Sequence, residues 1–203
     1  GLARLHTWTL ESATEDTESV HLQLTLTDST ETLQLWPHAF HLVMNIQLSS
    51  KLSVALTMEH RGQEPVDFTS ALHTYLNVGA IEQTRVLGLE NATHLDSLNA
   101  HQRMPAHGVI TFDQEVDRIY ESTATVTVED LAWKRAIIVS KAGSTATVVW
   151  NPWIEKSKRL SDLPDEAYHG FLCIEAANAG EDVVTVQPGQ EHLLLQRIEV
   201  RKL

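Results

Sequence analysis

Apolar and polar residues alternate along much of this chain, and that period of two is the feature that most constrains its fold. The alternation runs through positions 20–26, 42–48, 52–58 and 123–128. Successive side chains of a β-strand point to opposite faces, so this pattern predicts sheets with one buried and one wetter face. Helical periodicity is almost absent. The sequence therefore predicts an all-β fold, a mostly antiparallel sandwich or barrel.

Turn-forming residues divide the chain into separate strands. The triplet Ser-Ser-Lys at 49–51 separates two alternating runs, which predicts a hairpin. Further strands are predicted at 136–140, 146–150, 171–176 and 193–200. The segment 161–168 offers an N-cap, an early proline and acidic residues in its first turn, so it predicts a short helix. The stretch 91–108 predicts a long surface loop.

Length, charge and cysteine content set the broad class of protein. With 203 residues, 42% of them hydrophobic, we expect one domain over residues 1–203. A net charge of −12 argues against nucleic acid or an anionic membrane surface as a partner. Cys173 is the only cysteine, which predicts a reducing, cytoplasmic setting. There is no long apolar stretch, and the plainest expectation for the assembly is a monomer.

Motifs for metal, cofactor and nucleophile chemistry are absent. His38 and His41 are three positions apart, which on a strand places them on opposite faces. The sequence contains no HExxH or CxxC pair, no Walker A loop and no dinucleotide fingerprint, so it predicts neither a metal site nor a cofactor. It also contains no G-x-S-x-G elbow, and Cys173 in "FLCIEA" is expected to be a buried, inert thiol.

Acid–base chemistry remains, and it depends on polar residues in strand-like runs. Glu175 follows apolar residues, where burial would raise its pKa, although composition alone favours a glutamate that faces water from an edge strand. His73 lies within "TSALHTYLNV" and has three possible roles: a packed structural histidine, a metal ligand or a proton donor. Asp117 could bind a ligand or simply pair with Arg118. The residues alone leave these alternatives open.

Four segments, taken together and in order, resemble a known family. They are "GLARLHTWTL", "SALHTYLNV", "FDQEVDRIY" and "WNPWIEKSKRLSDLPDEAYHGFLCIEAANA". The set resembles the glucose-6-phosphate 1-epimerase (hexose-6-phosphate mutarotase) branch of the aldose 1-epimerase, or galactose mutarotase-like, superfamily. The likeness runs from Gly1 to the C-terminus and is loose over 80–109. It implies a large antiparallel β-sandwich, the galactose mutarotase-like supersandwich, with a sugar site in a cleft across one sheet.

The resemblance also implies roles for four residues. The family's histidine in S-A-L-H-T-Y falls on His73, and its carboxylate in V-C-V-E falls on Glu175, which makes these two the implied acid–base pair. The aspartate before Arg in D-R-V-Y, a ligand of a substrate hydroxyl, falls on Asp117. The arginine of H-G-F-A-R, expected near the sugar phosphate, falls on Arg4. The implied activity is the interconversion of α and β anomers of a hexose 6-phosphate, a small-molecule substrate, without a cofactor.

The sequence departs from the family pattern at its start. The histidine that precedes Gly1 in the family is absent, and Leu2 replaces the usual phenylalanine. The family's upstream R-G-G-x-P segment, with a second phosphate-contacting arginine, is not present in these residues. We therefore expect the family's N-terminal strands to be missing from this chain.

A non-catalytic carbohydrate-binding sandwich is the competing interpretation. In that case Trp150, Trp153 and Asp117 would bind sugar, while His73 and Glu175 would be structural. Tryptophans suit stacking on a sugar face, but they suit the core of a sandwich equally well.

Overall fold

The structure is a computed structural model that describes residues 1–203, and most of its ordered elements are strands. The strands are β1 (Thr9–Glu15), β2 (Val20–Thr27), β3 (Phe40–Leu48), β4 (Leu52–His60), β5 (Val66–Phe68), β6 (Ser70–Leu72), β7 (Tyr75–Asn77), β8 (Thr84–Leu87), β9 (Thr93–Asp96), β10 (Gln102–Pro105), β11 (Val116–Glu121), β12 (Val126–Asp130), β13 (Arg135–Ala142), β14 (Ala146–Asn151), β15 (Phe171–Asn178), β16 (Val184–Val186) and β17 (Glu191–Lys202). The helices are α1 (Thr30–Leu35), α2 (Trp153–Ser157) and four 3-10 helices at Leu2–Leu5, Ile81–Gln83, Ser97–Asn99 and Ala167–Gly170. None of these helices has the length and apolar character needed to cross a membrane.

The strands form two large antiparallel sheets. The first has eight strands in the order β1-β2-β3-β4-β17-β13-β12-β8. The second has seven, in the order β10-β9-β11-β14-β15-β6, with β7 also pairing with β15. Strands β5 and β16 form a separate two-stranded ribbon. The expected all-β, antiparallel sandwich is confirmed.

The main core lies between the two sheets. It combines apolar side chains of β8, β12 and β13 with those of β11, β14 and β15; its members include Val86, Val128, Val139, Tyr120, Val149 and Ile174. Fully burying side chains of this size contributes about 1.5–3 kcal/mol each relative to exposure. Because alternate residues must point the other way, the second sheet is left with a free outer face on which polar side chains can collect.

The first sheet extends beyond this core at β1–β4. Every residue of β1 is exposed, and apolar side chains such as Leu24, Met44 and Ile46 are only partly buried. The only buried residues of β2 and β3 are Leu26, near the end of β2, and Phe40, at the start of β3.

Two local predictions differ from the structure, and one is confirmed. The hairpin at 49–51 joins β3 to β4 as expected. The stretch 91–108 is not a plain loop, because it contains β9, β10 and a 3-10 helix between them. The segment 161–168 forms turns that lead into a 3-10 helix rather than an α-helix. The Asn151 side-chain amide donates to the backbone carbonyls of Tyr168 and Phe171, both at 2.9 Å. A side chain, rather than the backbone of a helix, therefore satisfies carbonyls near the end of this segment.

A short interruption separates β6 from β7 along β15. The register is the same on both sides, because Leu72 pairs with Ala176 and Tyr75 pairs with Cys173. Residues 73 and 74 thus lie opposite 175 and 174 without belonging to the ladder. In the gap, the buried Gln196 of β17 donates its side-chain amide to the Ile174 carbonyl at 2.8 Å.

The same Gln196 amide accepts a hydrogen bond from the Thr74 hydroxyl. One buried side chain of the first sheet therefore replaces the missing ladder contacts of the second. This matters because an unpaired buried carbonyl carries its full desolvation cost.

We expect Gln196→Leu to lower the free energy of unfolding by about 1–3 kcal/mol, since it leaves the Ile174 carbonyl without its side-chain donor and the Thr74 hydroxyl with only its bond to the Leu72 carbonyl at 3.3 Å. Chemical denaturation of the wild type and the variant measures this difference. Gln187→Ala, at an exposed position, is the matched control and should change stability by less than about 0.5 kcal/mol. Equal stability of Gln196→Leu and the wild type would show that the gap does not need this amide.

Candidate active site

Strand register brings four side chains into one row on the outer face of the second sheet. Asp117 of β11 pairs with Trp150 of β14, Trp150 pairs with Cys173 of β15, and Cys173 pairs with Tyr75 of β7. Paired residues in adjacent strands point to the same face. Glu175 lies two positions beyond Cys173 and therefore shares that face.

His73 reaches Glu175 from the gap between β6 and β7. Its Nε2 lies 3.4 Å from Glu175 Oε1, although the two residues are far apart in the sequence. The His73 side chain is 46% exposed, so it is not a packed core residue. The Glu175 side chain is only 6% exposed and lies on a central strand, so the alternative of an edge-strand glutamate facing water is wrong.

Aromatic rings hold His73 in place above the sheet. The Tyr75 ring is stacked on the imidazole with their centroids 4.9 Å apart, and the Trp150 ring meets it edge-on at 5.6 Å. Phe171 closes the cluster through its contacts with Tyr75 and Trp150. The pair of His73 and Glu175 thus has an apolar wall on one side and solvent on the other.

Burial moves the two pKa values toward each other. Loss of water raises the pKa of Glu175 to about 7, and the negative charge of Asp117 adds to the effect. Loss of water lowers the pKa of His73 below its ordinary value of 6.5, and the positive charge of Arg4 lowers it further, against the opposing effect of Asp117. Near neutral pH the two groups can therefore exchange a proton with little free-energy difference between them.

Asp117 is held by a lysine rather than by its sequence neighbour. Lys156 donates to Asp117 Oδ2 at 3.2 Å and to Glu115 Oε1 at 2.9 Å. Arg118 points the other way, and its nearest carboxylate is Asp96 at 4.0 Å. The Asp117–Arg118 pairing that the sequence left open is therefore wrong.

The position of Lys156 beside Asp117 is evident only from the tertiary structure. It belongs to α2, a helix that the alternation pattern did not predict, and its Nζ lies 5.8 Å from the centre of the Trp150 ring. Tyr75 was also not singled out from the sequence, although it lies two positions after His73 on the same strand face. Both residues line the site.

Arg4 approaches the same site from the N-terminal 3-10 helix. Its positive charge lowers the pKa of both His73 and Tyr75, so its field reaches this site. The helix is anchored because Trp8 Nε1 donates to the Ala3 carbonyl at 2.9 Å. Arg4 itself is exposed, so it is free to meet an anion from solvent.

The two tryptophans have different positions. Trp150 lies on the face with His73 and Glu175 and is 9% exposed. Trp153 packs against Tyr168, with ring centroids 5.3 Å apart, and against the main core. Only Trp150 is thus in the row that includes Asp117 and Cys173.

Two further features lie on this outer face. A hollow of about 730 Å³ is lined by residues that include Ile119, Glu121 and Ala146, but neither His73 nor Glu175 lines it. His73, Cys173 and Glu175 offer nitrogen, sulfur and oxygen atoms within 4.8 Å of one another, the kind of set that could hold a metal ion.

Comparison with known proteins gives a consistent result. The aldose 1-epimerase family model matches residues 1–199. A protein from Cenchrus ciliaris named "Putative glucose-6-phosphate 1-epimerase" is 33% identical over 202 residues, covering 94% of this chain and 61% of the relative. A protein of the same name from Escherichia coli (strain K12) is 36% identical over 204 residues, covering 100% of this chain and 67% of the relative.

A solved structure supports the same assignment. The crystal structure described as a putative mutarotase from Salmonella typhimurium superposes with a TM-score of 0.91 at 29% identity, covering 99% of this chain and 67% of that one. The chain thus spans about three fifths to two thirds of the length of these relatives. The resemblance carried by the four sequence segments is confirmed, and the chain belongs to the aldose 1-epimerase family.

Proposed function

We propose that this chain carries the catalytic centre of a mutarotase that interconverts the α and β anomers of a hexose 6-phosphate. The observation that carries the proposal is the pair of His73 and Glu175, 3.4 Å apart on an open sheet face. Family membership and relatives named for glucose-6-phosphate 1-epimerase activity support the same reaction. In this proposal His73 and Glu175 are catalytic, and Asp117 and Arg4 bind the substrate.

Ring opening requires two proton transfers. The Glu175 carboxylate accepts the proton of the C1 hydroxyl while the His73 imidazolium donates its proton to the ring oxygen. The bond from C1 to the ring oxygen then breaks and leaves a free aldehyde. Rotation about C1–C2 presents the other face of the carbonyl, and the reverse transfers close the ring as the other anomer.

The electrostatics of the pair suit this cycle. The pair of His73 and Glu175 shares one titratable proton, which can be on the histidine (imidazolium with carboxylate) or on the glutamate (imidazole with carboxylic acid). Because burial raises the pKa of Glu175 to about 7 and lowers that of His73 below 6.5, the second form is favoured in the free protein, and the first form, from which ring opening starts, lies close to it in free energy. A general acid or base works best when its pKa lies near the working pH.

Asp117 and the aromatic row would orient the sugar ring. The Asp117 carboxylate lies in the same row as Trp150 and Tyr75. It can therefore accept a hydrogen bond from a hydroxyl of a sugar that lies against these aromatic rings. Lys156 fixes the position of that carboxylate. Orientation matters because proton transfer needs heavy-atom separations of about 2.6–3.2 Å.

Arg4 would bind the 6-phosphate. A guanidinium can donate two parallel hydrogen bonds to a phosphate. The protein has a net charge of −12, so an anionic sugar needs such a local cation to approach.

We expect His73→Ala and Glu175→Gln each to slow anomer exchange of glucose 6-phosphate by about 10²–10⁴-fold, the range typical of a positioned acid or base. Two-dimensional exchange NMR at equilibrium measures the rate from α/β cross-peaks, with spontaneous mutarotation as background. His169→Ala and Glu199→Gln are matched controls, because both side chains form ion pairs outside this site.

Either catalytic assignment fails if its variant exchanges anomers at the wild-type rate. A wild-type chain that broadens sugar resonances without faster exchange would instead indicate the carbohydrate-binding sandwich, with His73 and Glu175 as structural residues.

Arg4→Ala should raise KM for glucose 6-phosphate by about 10–100-fold, which corresponds to a charged hydrogen bond of about 1.5–3 kcal/mol. KM for unphosphorylated glucose should change little, because that sugar offers no phosphate. Arg61→Ala, which breaks an exposed ion pair with Glu59, is the control. Equal changes for both sugars would contradict a phosphate role.

The His73 imidazole should titrate below pH 6.5, since burial and Arg4 both disfavour its charged form. It is therefore mostly neutral at pH 7 in the free protein. NMR titration of the ring protons measures the midpoint, and the spectrum of His73→Ala identifies the resonance among eleven histidines. A midpoint at or above 6.5 would contradict the desolvation of this site.

A further inference from the structure

Cys173 has no part in the proposed proton transfers, yet it lies beside them. Its Sγ, a nitrogen of His73 and a carboxylate oxygen of Glu175 all lie within 4.8 Å of one another. It is the only cysteine of the chain. No spacing motif predicted this cluster, because its members come from two strand regions that only the fold brings together.

We propose that His73, Cys173 and Glu175 form a binding site for a thiophilic divalent cation such as Zn²⁺, and that an ion bound there blocks the acid–base pair. The ion site follows from the three side chains alone. The blocking effect rests on the proposed function.

The ligand types select the class of ion. Zinc is commonly bound by thiolate, imidazole and carboxylate together, and three protein ligands with an open fourth position are usual where solvent reaches the ion. Magnesium and calcium prefer all-oxygen sites, so a site with sulfur and nitrogen disfavours them. His73 is the partly exposed member, so the open position faces solvent.

One of the three separations between ligand atoms already suits a zinc ion, and the other two are within 4.8 Å. Zinc–ligand bonds of about 2.0–2.3 Å in a tetrahedron place neighbouring ligand atoms ~3.3–3.6 Å apart. The His73–Glu175 separation of 3.4 Å already fits. Cys173 and Glu175 are anchored in β15 between β14 and β7, so the half-exposed imidazole is the group that can adjust to an ion.

The charges also balance. A thiolate, a carboxylate and a neutral imidazole together offset the two positive charges of the ion. Binding releases the thiol proton to solvent, together with the proton that His73 and Glu175 share when the pair carries one. Burial raises the pKa of the Cys173 thiol, so the ion must displace that proton. Asp117 contributes further negative potential here, and Arg4 opposes it, as their effects on His73 indicate.

Such an ion would stop anomer exchange for a simple reason. The imidazole lone pair and the Glu175 carboxylate would both be coordinated, so neither could accept or donate the protons that ring opening needs. An ion at this position would also lie where the sugar ring must approach the pair.

Titration with Co²⁺ tests the site independently of activity. A cobalt–thiolate bond gives a near-ultraviolet charge-transfer band, and in this chain only Cys173 can produce it. We expect a saturable band in the wild type and none in Cys173→Ser or Cys173→Ala, with circular dichroism confirming that at least one of the two is folded. His73→Ala and Glu175→Gln should weaken binding by at least about 10-fold. Removing a residue that only hydrogen-bonds to a metal ligand already costs about that much, and removal of a ligand itself should cost no less.

His169→Ala is the matched control for other metal-binding histidines. The ring nitrogens of His169 lie 2.8 Å from Glu82 Oε1 and 3.3 Å from Glu166 Oε2. These three exposed side chains form a second cluster that could also attract the ion. The thiolate band should be unchanged in this variant. A wild-type protein that gives no band, or a band that does not respond to removal of His73 and Glu175, overturns the site.

Inhibition is measured as the ratio of exchange rates with and without Zn²⁺, taken for each variant against its own ion-free rate. We expect a strong loss in the wild type that chelation reverses, and at least about 10-fold less sensitivity in Cys173→Ser. A wild type that shows the cobalt band and catalyses exchange at the same rate with Zn²⁺ overturns the blocking effect. A chain that shows the band but never catalyses exchange contradicts the proposed function and leaves the ion site supported.

Discussion

The Gln196 amide bridges the two sheets at the point where β6 and β7 separate, and the geometry of the candidate site depends on that bridge. Its oxygen accepts a hydrogen bond from the Thr74 hydroxyl, and its nitrogen donates one to the buried Ile174 carbonyl. An interruption of a central ladder would otherwise leave polar groups buried and unpaired, at about 1–3 kcal/mol each. With those groups satisfied, residues 73 and 74 can leave the ladder while the register on both sides stays intact.

That combination explains how His73 can be both well placed and accessible. The preserved register keeps it opposite Glu175, and release from the ladder leaves nearly half of its side chain exposed. Glu175, by contrast, stays within β15 and is almost completely buried. Loss of water disfavours the charged form of each group, so it lowers the pKa of the imidazole and raises that of the carboxyl, and shifted pKa values of this kind are typical of acid–base sites. The same closeness brings Cys173 within reach of both groups.

The proposed ligands of the substrate depend on contacts that span the fold. Arg4 belongs to the first few residues, and Asp117 is fixed by Lys156 from a helix that follows β14. Asp117 shares the face of β15 because the second sheet combines strands from positions 70 to 178, whereas Arg4 comes from a helix outside this sheet. The relatives to which this chain is similar are about one and a half times as long. In this chain, the apolar face of β2 and β3 is partly exposed.

Much of the architecture was predictable from the sequence, because alternation directly encodes which face of each strand is buried. It predicted the all-β class, the hairpin at 49–51 and the strands around positions 20–60 and 126–200. The resemblance of four short segments identified the family and the candidate residues. Local signals failed at 91–108 and 161–168, where tertiary hydrogen bonds such as those of Asn151 take up backbone groups that the local pattern assigned differently.

Only the tertiary structure decided how the polar residues relate to one another. No sequence spacing could show that His73 lies 3.4 Å from Glu175, that Asp117 pairs with Lys156 rather than Arg118, or that Cys173 completes a cluster of metal-binding groups. These relations depend on strand register and burial between distant parts of the chain. The sequence by itself determined which side chains were available and which strand faces they occupy, and long-range pairing across the sheet determined which of them meet.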